Sequence, residues 1–330
     1  MTGRGWITGT ARAAGGSRDF KLWMPATLDK ERASPLLMLL PGCTHNAEDT
    51  EEISGMNEVA EANRFLVVYP EQSRLSNLLK CWNWFDPKHQ EREAGEPSIL
   101  AEVVAQVRAT CKVDPERVYV AGVSAGGAMA SILGATYPDI FAAIGIVAGT
   151  EFKAATNASE GIAAMAKGGP DPVRQGQLAF EAMRRGLARK NRRRMPVIVF
   201  HGTADTRVNP TNADQAIAQW SKTNACLAAE HTESGFALTE KVIAGQVPGG
   251  YGFRRHTYAE ADGRKLLEKW TVEGLGHAWP GPPIASKFGD PKGPKASAEI
   301  WRFFCETALN SAASVTTPDS SHRQSSETTK

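Results

Sequence analysis

An α/β fold with a mostly parallel central sheet flanked by helices is predicted by two features of the sequence. Short apolar runs with little alternation recur along the 330 residues, and stretches of helical periodicity separate them. An unbroken apolar run suits a strand covered on both faces, as strands of a parallel sheet are. Strand and helix in alternation then imply parallel pairing through crossover helices.

The elements follow in chain order. PLLMLLPG (35–42), FLVVYP (65–70), RVYVAG (117–122), FAAIGIVAG (141–149) and PVIVFHG (196–202) are the apolar runs. SILAEVVAQVRA (98–109) puts Ile99, Leu100, Val103, Val104 and Val107 on one face of a helix. Residues 151–194 interrupt the alternation with two helical pieces joined at KGGPDP, and read as a cap-like insertion. Residues 251–274 read as a hairpin turning near Asp262-Gly263. Residues 1–310 are therefore taken as one catalytic domain. The Ser/Thr-rich remainder, 311–330, lacks apolar periodicity and is expected to be disordered.

Composition narrows the function classes. Charged residues make up 22% of the chain and the net charge is only +2, so no strong field draws it to nucleic acid or to an anionic membrane. No apolar run reaches the length of a membrane span, and the N-terminus shows no signal-peptide core, so the expectation is a cytoplasmic protein. The five cysteines show no C-x-x-C spacing for a metal. The basic run RRGLARKNRRR (184–194) lacks the interleaved aromatics of single-strand binding and reads as a solvated helix end.

VYVAGVSAGGAM (118–129) carries the chemistry. Gly122-Val-Ser124-Ala-Gly126 matches G-x-S-x-G between an apolar run and a helical one. A strand that turns abruptly into a helix lifts the serine above the sheet, over unpaired amides at the helix N-terminus. Ser124 is thus the candidate nucleophile, and it needs a base and a group to orient that base. Among seven histidines, His277 in GLGHAWPG lies late in the chain on a glycine-rich loop after the strand-like KWTVEG. His201 closes an apolar run and is expected to hold its turn by a hydrogen bond. His231, His256 and His322 fall in polar segments.

Asp205, in HGTADTRVNP, lies just past a strand end, where open α/β sheets gather functional groups, although an Asx-turn would also explain it. The order Ser124, Asp205, His277 is the Ser…Asp…His order of the α/β-hydrolases. Ala125 is one expected oxyanion donor. The other is the amide of Cys43 in the loop opening at Pro41-Gly42, where Gly42 is expected to let the backbone come close.

With these residues in hand, the chain resembles the poly(3-hydroxybutyrate) (PHB) depolymerase family of esterases, near the feruloyl and acetylxylan esterases. The resemblance runs over about residues 15–308 through PGCTHN, YPEQSRLSNLLKCWNWF, AGEPSILAEVV, VDPERVYVAGVSAGGAMA, YPDIFAAIGIVAG, HGTADTRVNPTNA, GLGHAWPG and DPKGPKASAEIWRFF. It implies an α/β-hydrolase fold and ester hydrolysis by Ser124, Asp205 and His277, with oxyanion donors at Cys43 and Ala125. It also suggests a bridge between Cys43 and Cys81, although a reducing cytosol would leave two thiols. Two positions depart from the family pattern. Pro41 stands where the family commonly has His, and His45 where it often has Gln. The separate polymer-binding domain of secreted depolymerases has no counterpart in the sequence.

Trp82, Trp84 and Trp279 are candidates to line a substrate groove, with core packing as the competing role, and His45 is a further substrate-binding candidate. The expected partner is a PHB-type polyester, its oligomers or a short-chain ester. Neither nucleic acid nor membrane is expected, and the reaction requires no cofactor and no metal. A feruloyl or acetylxylan esterase is the second reading, and a non-catalytic relative that binds a ligand is the third.

Overall fold

The computed structural model describes residues 5–185, 193–230 and 236–312. The chain opens with a hairpin of β1 (Gly5–Ala13) and β2 (Gly16–Met24), followed by β3 (Ser34–Leu40), the short helices α1 (Ala47–Ser54) and α2 (Met56–Asn63), and β4 (Leu66–Pro70). Helix α3 (Gly95–Thr110) leads to β5 (Val113–Val123), α4 (Ala125–Thr136) and β6 (Ala143–Val147). Helices α5 (Ala158–Lys167) and α6 (Pro172–Arg185) precede β7 (Val197–Gly202) and α7 (Thr211–Glu230). Strands β8 (Thr239–Gln246), β9 (Gly252–Ala259) and β10 (Lys265–Val272) follow. The short strands β11 (Trp279–Pro280) and β12 (Gly289–Asp290) and helix α8 (Ala296–Ala312) end the fold.

One ten-stranded sheet runs β1-β2-β4-β3-β5-β6-β7-β10-β9-β8. Pairing from β4 through β10 is parallel, and the hairpins at both edges are antiparallel. The expected α/β fold is therefore the observed one. Strands β3, β4, β6 and β7 are buried at every residue, which is why their sequences show no alternation. The five apolar residues expected on one face of α3 are all buried.

Two apolar layers cover the sheet. One packs Val103, Met129 and Trp220 against one face. The other packs Phe65, Phe304 and Trp301, with Phe65 stacked on Trp301 at 3.7 Å, against the opposite face. Strand β8, at the far edge, is almost wholly exposed, so it has no apolar face for periodicity to reveal. The insertion contributes α5 and α6 between β6 and β7, but residues 186–192 of the basic run lie outside the described residues, as do His231, His322 and 313–330 of the tail. Among the described residues, no helix is long and apolar enough to cross a membrane.

Candidate active site

The parallel register brings the loops of interest to one edge. Val123 lies opposite Val147, Val147 opposite Phe200, and Phe200 opposite Trp270. The chain therefore leaves β5, β7 and β10 on the same side, carrying Ser124, Asp205 and His277 there. Ser124 has φ 56° and ψ −120°, a conformation that L residues rarely hold, and its amide donates to Val147 O at 2.8 Å. Strain of this kind is expected where a strand is forced straight into a helix.

Crowding explains the glycines. A Cβ on Gly122 would lie 2.4 Å from the Gly126 carbonyl, and one on Gly126 would lie 2.3 Å from Leu40 O. The first turn of α4 therefore rests directly on the end of β3, next to the loop that carries Cys43. Gly42 plays no such part, because a Cβ there would meet Val123 O at an ordinary 3.4 Å. The close approach expected of Gly42 is made by Gly126 instead.

Asp205 is held by four donors. The amides of Arg207 and Val208 donate to Oδ1, both at 2.9 Å, forming the Asx-turn that competed with a catalytic role in the sequence. Oδ2 accepts from His277 Nδ1 at 2.8 Å and from His201 Nε2 at 3.2 Å. Both readings of Asp205 are thus satisfied, one by each oxygen. Burial alone would raise its carboxyl, but the bonds from His201 and His277 outweigh it and hold the group well below the usual carboxylate range.

A carboxylate can only accept, so His277 carries its proton on Nδ1 and presents Nε2 as a lone pair. His201 Nε2 also faces Val208 O at 2.8 Å. With acceptors on both sides, that nitrogen too must bear the hydrogen. His201 therefore holds its turn as expected and in addition braces Asp205. Two further bonds fix the His277 loop to the Asp205 loop, from Thr203 N to Val272 O and from Ala204 N to Leu275 O.

The Cys43 loop is tied down on the other side. Cys43 and Cys81 form a disulfide, and Thr44 N donates to Leu79 O at 2.7 Å. His45 N donates to Gly42 O, but among the described residues nothing accepts the Cys43 amide. Ala125 N begins α4 and has no carbonyl partner within the helix. Cys43, Ser124 and Ala125 all line one cavity. Glu96, fully buried, accepts from Asn83 N and Asn83 Nδ2, both at 2.8 Å, and pairs with Arg18 at 3.0 Å, pinning the segment that follows Cys81. The sequence reading passed over Glu96 because an acid in a helical stretch resembles a solvated surface residue.

The aromatic candidates separate. Trp84 lines an apolar cavity of about 170 Å³ that contains Ser124. Trp82 and Trp279 do not line it. Both are fully buried, with Trp82 Nε1 donating to Pro41 O at 3.1 Å and Trp279 Nε1 to Ser297 Oγ at 3.1 Å. For these two the groove role gives way to core packing, because each ring spends its polar edge on an internal acceptor.

His45 lies beside the cavity in a separate groove with Thr44, Asp49 and Phe288, its ring edge-on to Phe288 at 4.9 Å. Burial, with the nearby His277 and Lys287, lowers its pKa against the opposing charge of Asp49. Missed by sequence reading were Phe85, Ile162, Met165 and Val208, which also line the cavity. Ile162 and Met165 belong to α5, and helical periodicity could not indicate which neighbour that helix would face. Among the described residues no cluster of three or more metal-ligating side chains occurs.

Comparison with known proteins assigns the family. The Esterase PHB depolymerase profile matches residues 18–242. The chain belongs to this family. Among its relatives, the esterase-family chain is 34% identical to poly(3-hydroxyalkanoate) depolymerase C of Paucimonas lemoignei over 248 residues, covering 75% of the chain but only 55% of that protein. It is 27% identical to feruloyl esterase B of Thermothelomyces thermophilus, covering 78% of the chain and 82% of the relative. In structure it is similar to acetyl xylan esterase from Aspergillus awamori, with a TM-score of 0.68 and 19% identity over 91% of this chain and 99% of that one. That likeness shows the α/β-hydrolase fold.

Proposed function

We propose that the protein is a serine carboxylic ester hydrolase that cleaves aliphatic 3-hydroxyalkanoate esters, with PHB or its oligomers as substrate. The observation that carries the reading is the hydrogen bond from His277 Nδ1 to Asp205 Oδ2, which leaves Nε2 as a base on the edge where Ser124 is strained outward. His277 Nε2 takes the Ser124 proton as Oγ attacks the ester carbonyl carbon. The carbonyl oxygen becomes an oxyanion, stabilised by the Cys43 and Ala125 amides. Collapse breaks the ester bond, and the alcohol departs with the proton from His277. Water then gives a proton to His277 as it attacks the acyl-enzyme carbonyl, and collapse releases the acid as His277 returns that proton to Ser124 Oγ.

The cavity supports an aliphatic acyl group over a feruloyl one. Among the described lining residues, the polar side-chain groups are the Ser124 and Thr150 hydroxyls and the Trp84 indole N–H, apart from the disulfide sulfurs, so a phenolic hydroxyl would lose its water for few partners. Wall residues from α5 support a role for the 151–194 insertion in substrate binding, and His45 remains a candidate contact at the adjoining groove. The Cys43–Cys81 bridge supports an oxidising compartment, against the cytoplasmic expectation.

Ser124→Ala tests the reading. Turnover of p-nitrophenyl butyrate is expected to fall by about four orders of magnitude or more. Near-normal turnover would exclude Ser124 as nucleophile, and faster cleavage of methyl ferulate than of aliphatic esters by the native protein would favour the feruloyl esterase reading.

A further inference from the structure

The loop before Cys81 presents an unusual surface. Leu75 is 100% exposed, Leu78 84% and Leu79 64%. A single exposed leucine is ordinary, but three within five residues form a patch that calls for a partner. The exposure does not come from slack chain. Asn77 Oδ1 accepts from the amides of Leu79 and Cys81, at 3.0 and 3.2 Å, and Asn77 Nδ2 donates to Asn83 at 2.9 Å. Leu79 O accepts from Thr44 N, and Cys81 is joined covalently to Cys43. The leucines are therefore held in place against water by the loop that bears a candidate oxyanion donor.

Their position gives them a direction. Cys81 and Ile162 line the cavity that contains Ser124, and Ile162 is itself 66% exposed. Cys81 thus belongs both to the cavity wall and to the segment that carries the leucines, one residue beyond Lys80. Within residues 73–80 the only charges are Arg74 and Lys80, which suit carbonyl oxygens and free carboxylate ends. Three leucine side chains fall short of the roughly 800 Å² per partner that a stable dimer buries, which argues against a second copy of the chain.

We propose that Leu75, Leu78 and Leu79 form an adsorption ridge that seats the protein on the surface of a water-insoluble aliphatic polyester, with the cavity mouth over the surface chains. The proposal rests on the ester-hydrolase reading and adds to it the physical form of the substrate. A flat, uncharged polymer surface lets all three leucines leave water at once, and the bound surface is then also the source of the ester.

The test separates adsorption from hydrolysis. Leu75→Ser/Leu78→Ser is prepared in the native chain and in the Ser124→Ala background, leaving Leu79 and its bond to Thr44 in place. Retention of the Ser124→Ala forms on films of amorphous PHB is expected to fall about tenfold or more with the leucine substitutions. Film erosion by the active forms should fall in step, while turnover of soluble p-nitrophenyl butyrate changes by less than about twofold.

Unchanged retention would overturn the proposal, as would an equal loss on the soluble ester. It would also be overturned if the native chain were a dimer that the substitutions dissociate, or if it bound phosphatidylcholine vesicles and not the film. If the native chain left p-nitrophenyl butyrate uncleaved, the hydrolase reading would fail by itself, and film retention would still be measurable.

Discussion

His201 and His277 converge on one atom, the Oδ2 of Asp205, from which they lie 3.2 and 2.8 Å. His201 is expected to act on His277 through Asp205. Removing its donor should leave Asp205 a stronger acceptor and raise the pKa of its carboxyl. His201→Phe is expected to lower kcat by about 10- to 100-fold with little change in KM, the value of one hydrogen bond to a charged group. The acid limb of the kcat/KM profile should move to higher pH. His201→Gln, which restores a donor near Nε2, should recover most of the loss, whereas a purely structural role would leave the limb in place.

Asp205→Asn is expected to be far more damaging. The amide can donate to His277 and favours the tautomer with the proton on Nε2, where the base is needed. A loss of about 10⁴ in kcat is expected. Steady-state kinetics with a soluble ester would measure it, and a loss under about tenfold would remove Asp205 from its proposed role.

The Cys43–Cys81 bridge closes a separation of 38 residues between the oxyanion loop and the segment pinned by Glu96. A cross-link of that span is worth about 3–4 kcal/mol through the unfolded chain. Cys81→Ser is expected to lower the unfolding midpoint and to reduce kcat more than it changes KM, because the Cys43 amide is a proposed oxyanion donor. A variant that lost stability but kept full kcat would show that the loop needs no covalent tie.

Glu151 is almost fully buried, and among the described residues neither carboxylate oxygen has a hydrogen-bond partner. Burial, assisted by the charge of Asp171, pushes its pKa up to about 8. Between the unfolded carboxyl range and that value the folded state binds a proton that the unfolded state has lost, so stability falls as pH rises through the window. Glu151→Gln removes the penalty. Its unfolding midpoint is expected to exceed that of the native chain near about pH 8 and to approach it near about pH 4, and parallel curves across that range would contradict the assignment.

Gly126→Ala tests the crowding at the turn. Its methyl group would meet Leu40 O at 2.3 Å and Pro41 O at 2.6 Å, and both are backbone atoms that cannot step aside. A destabilisation of about 1–3 kcal/mol or more is expected, with loss of activity as the Cys43 and Ala125 amides, the proposed oxyanion donors, separate. Denaturant titration of the variant would measure the first effect.

Much of the protein was legible in its sequence, for a definite reason. Strands β3, β4, β6 and β7 are buried at every residue, as is β5 from Val118 to Val123, so their apolar character is continuous and local. Ser124 and Asp205 each follow such a strand, and His277 follows β10, whose apolar run is interrupted by Glu268 and Lys269, so their order along the chain already implied their meeting at one sheet edge. Packing between distant segments decided the rest. Nothing local distinguishes Trp82 and Trp279, which turn inward to Pro41 and Ser297, from Trp84, which faces the cavity. Nor could Gly42 be told from Gly126 until the helix was laid on the end of β3, or His201 be seen to share an oxygen with His277. Those assignments depend on which backbone lies across from which side chain, and only the folded chain sets that distance.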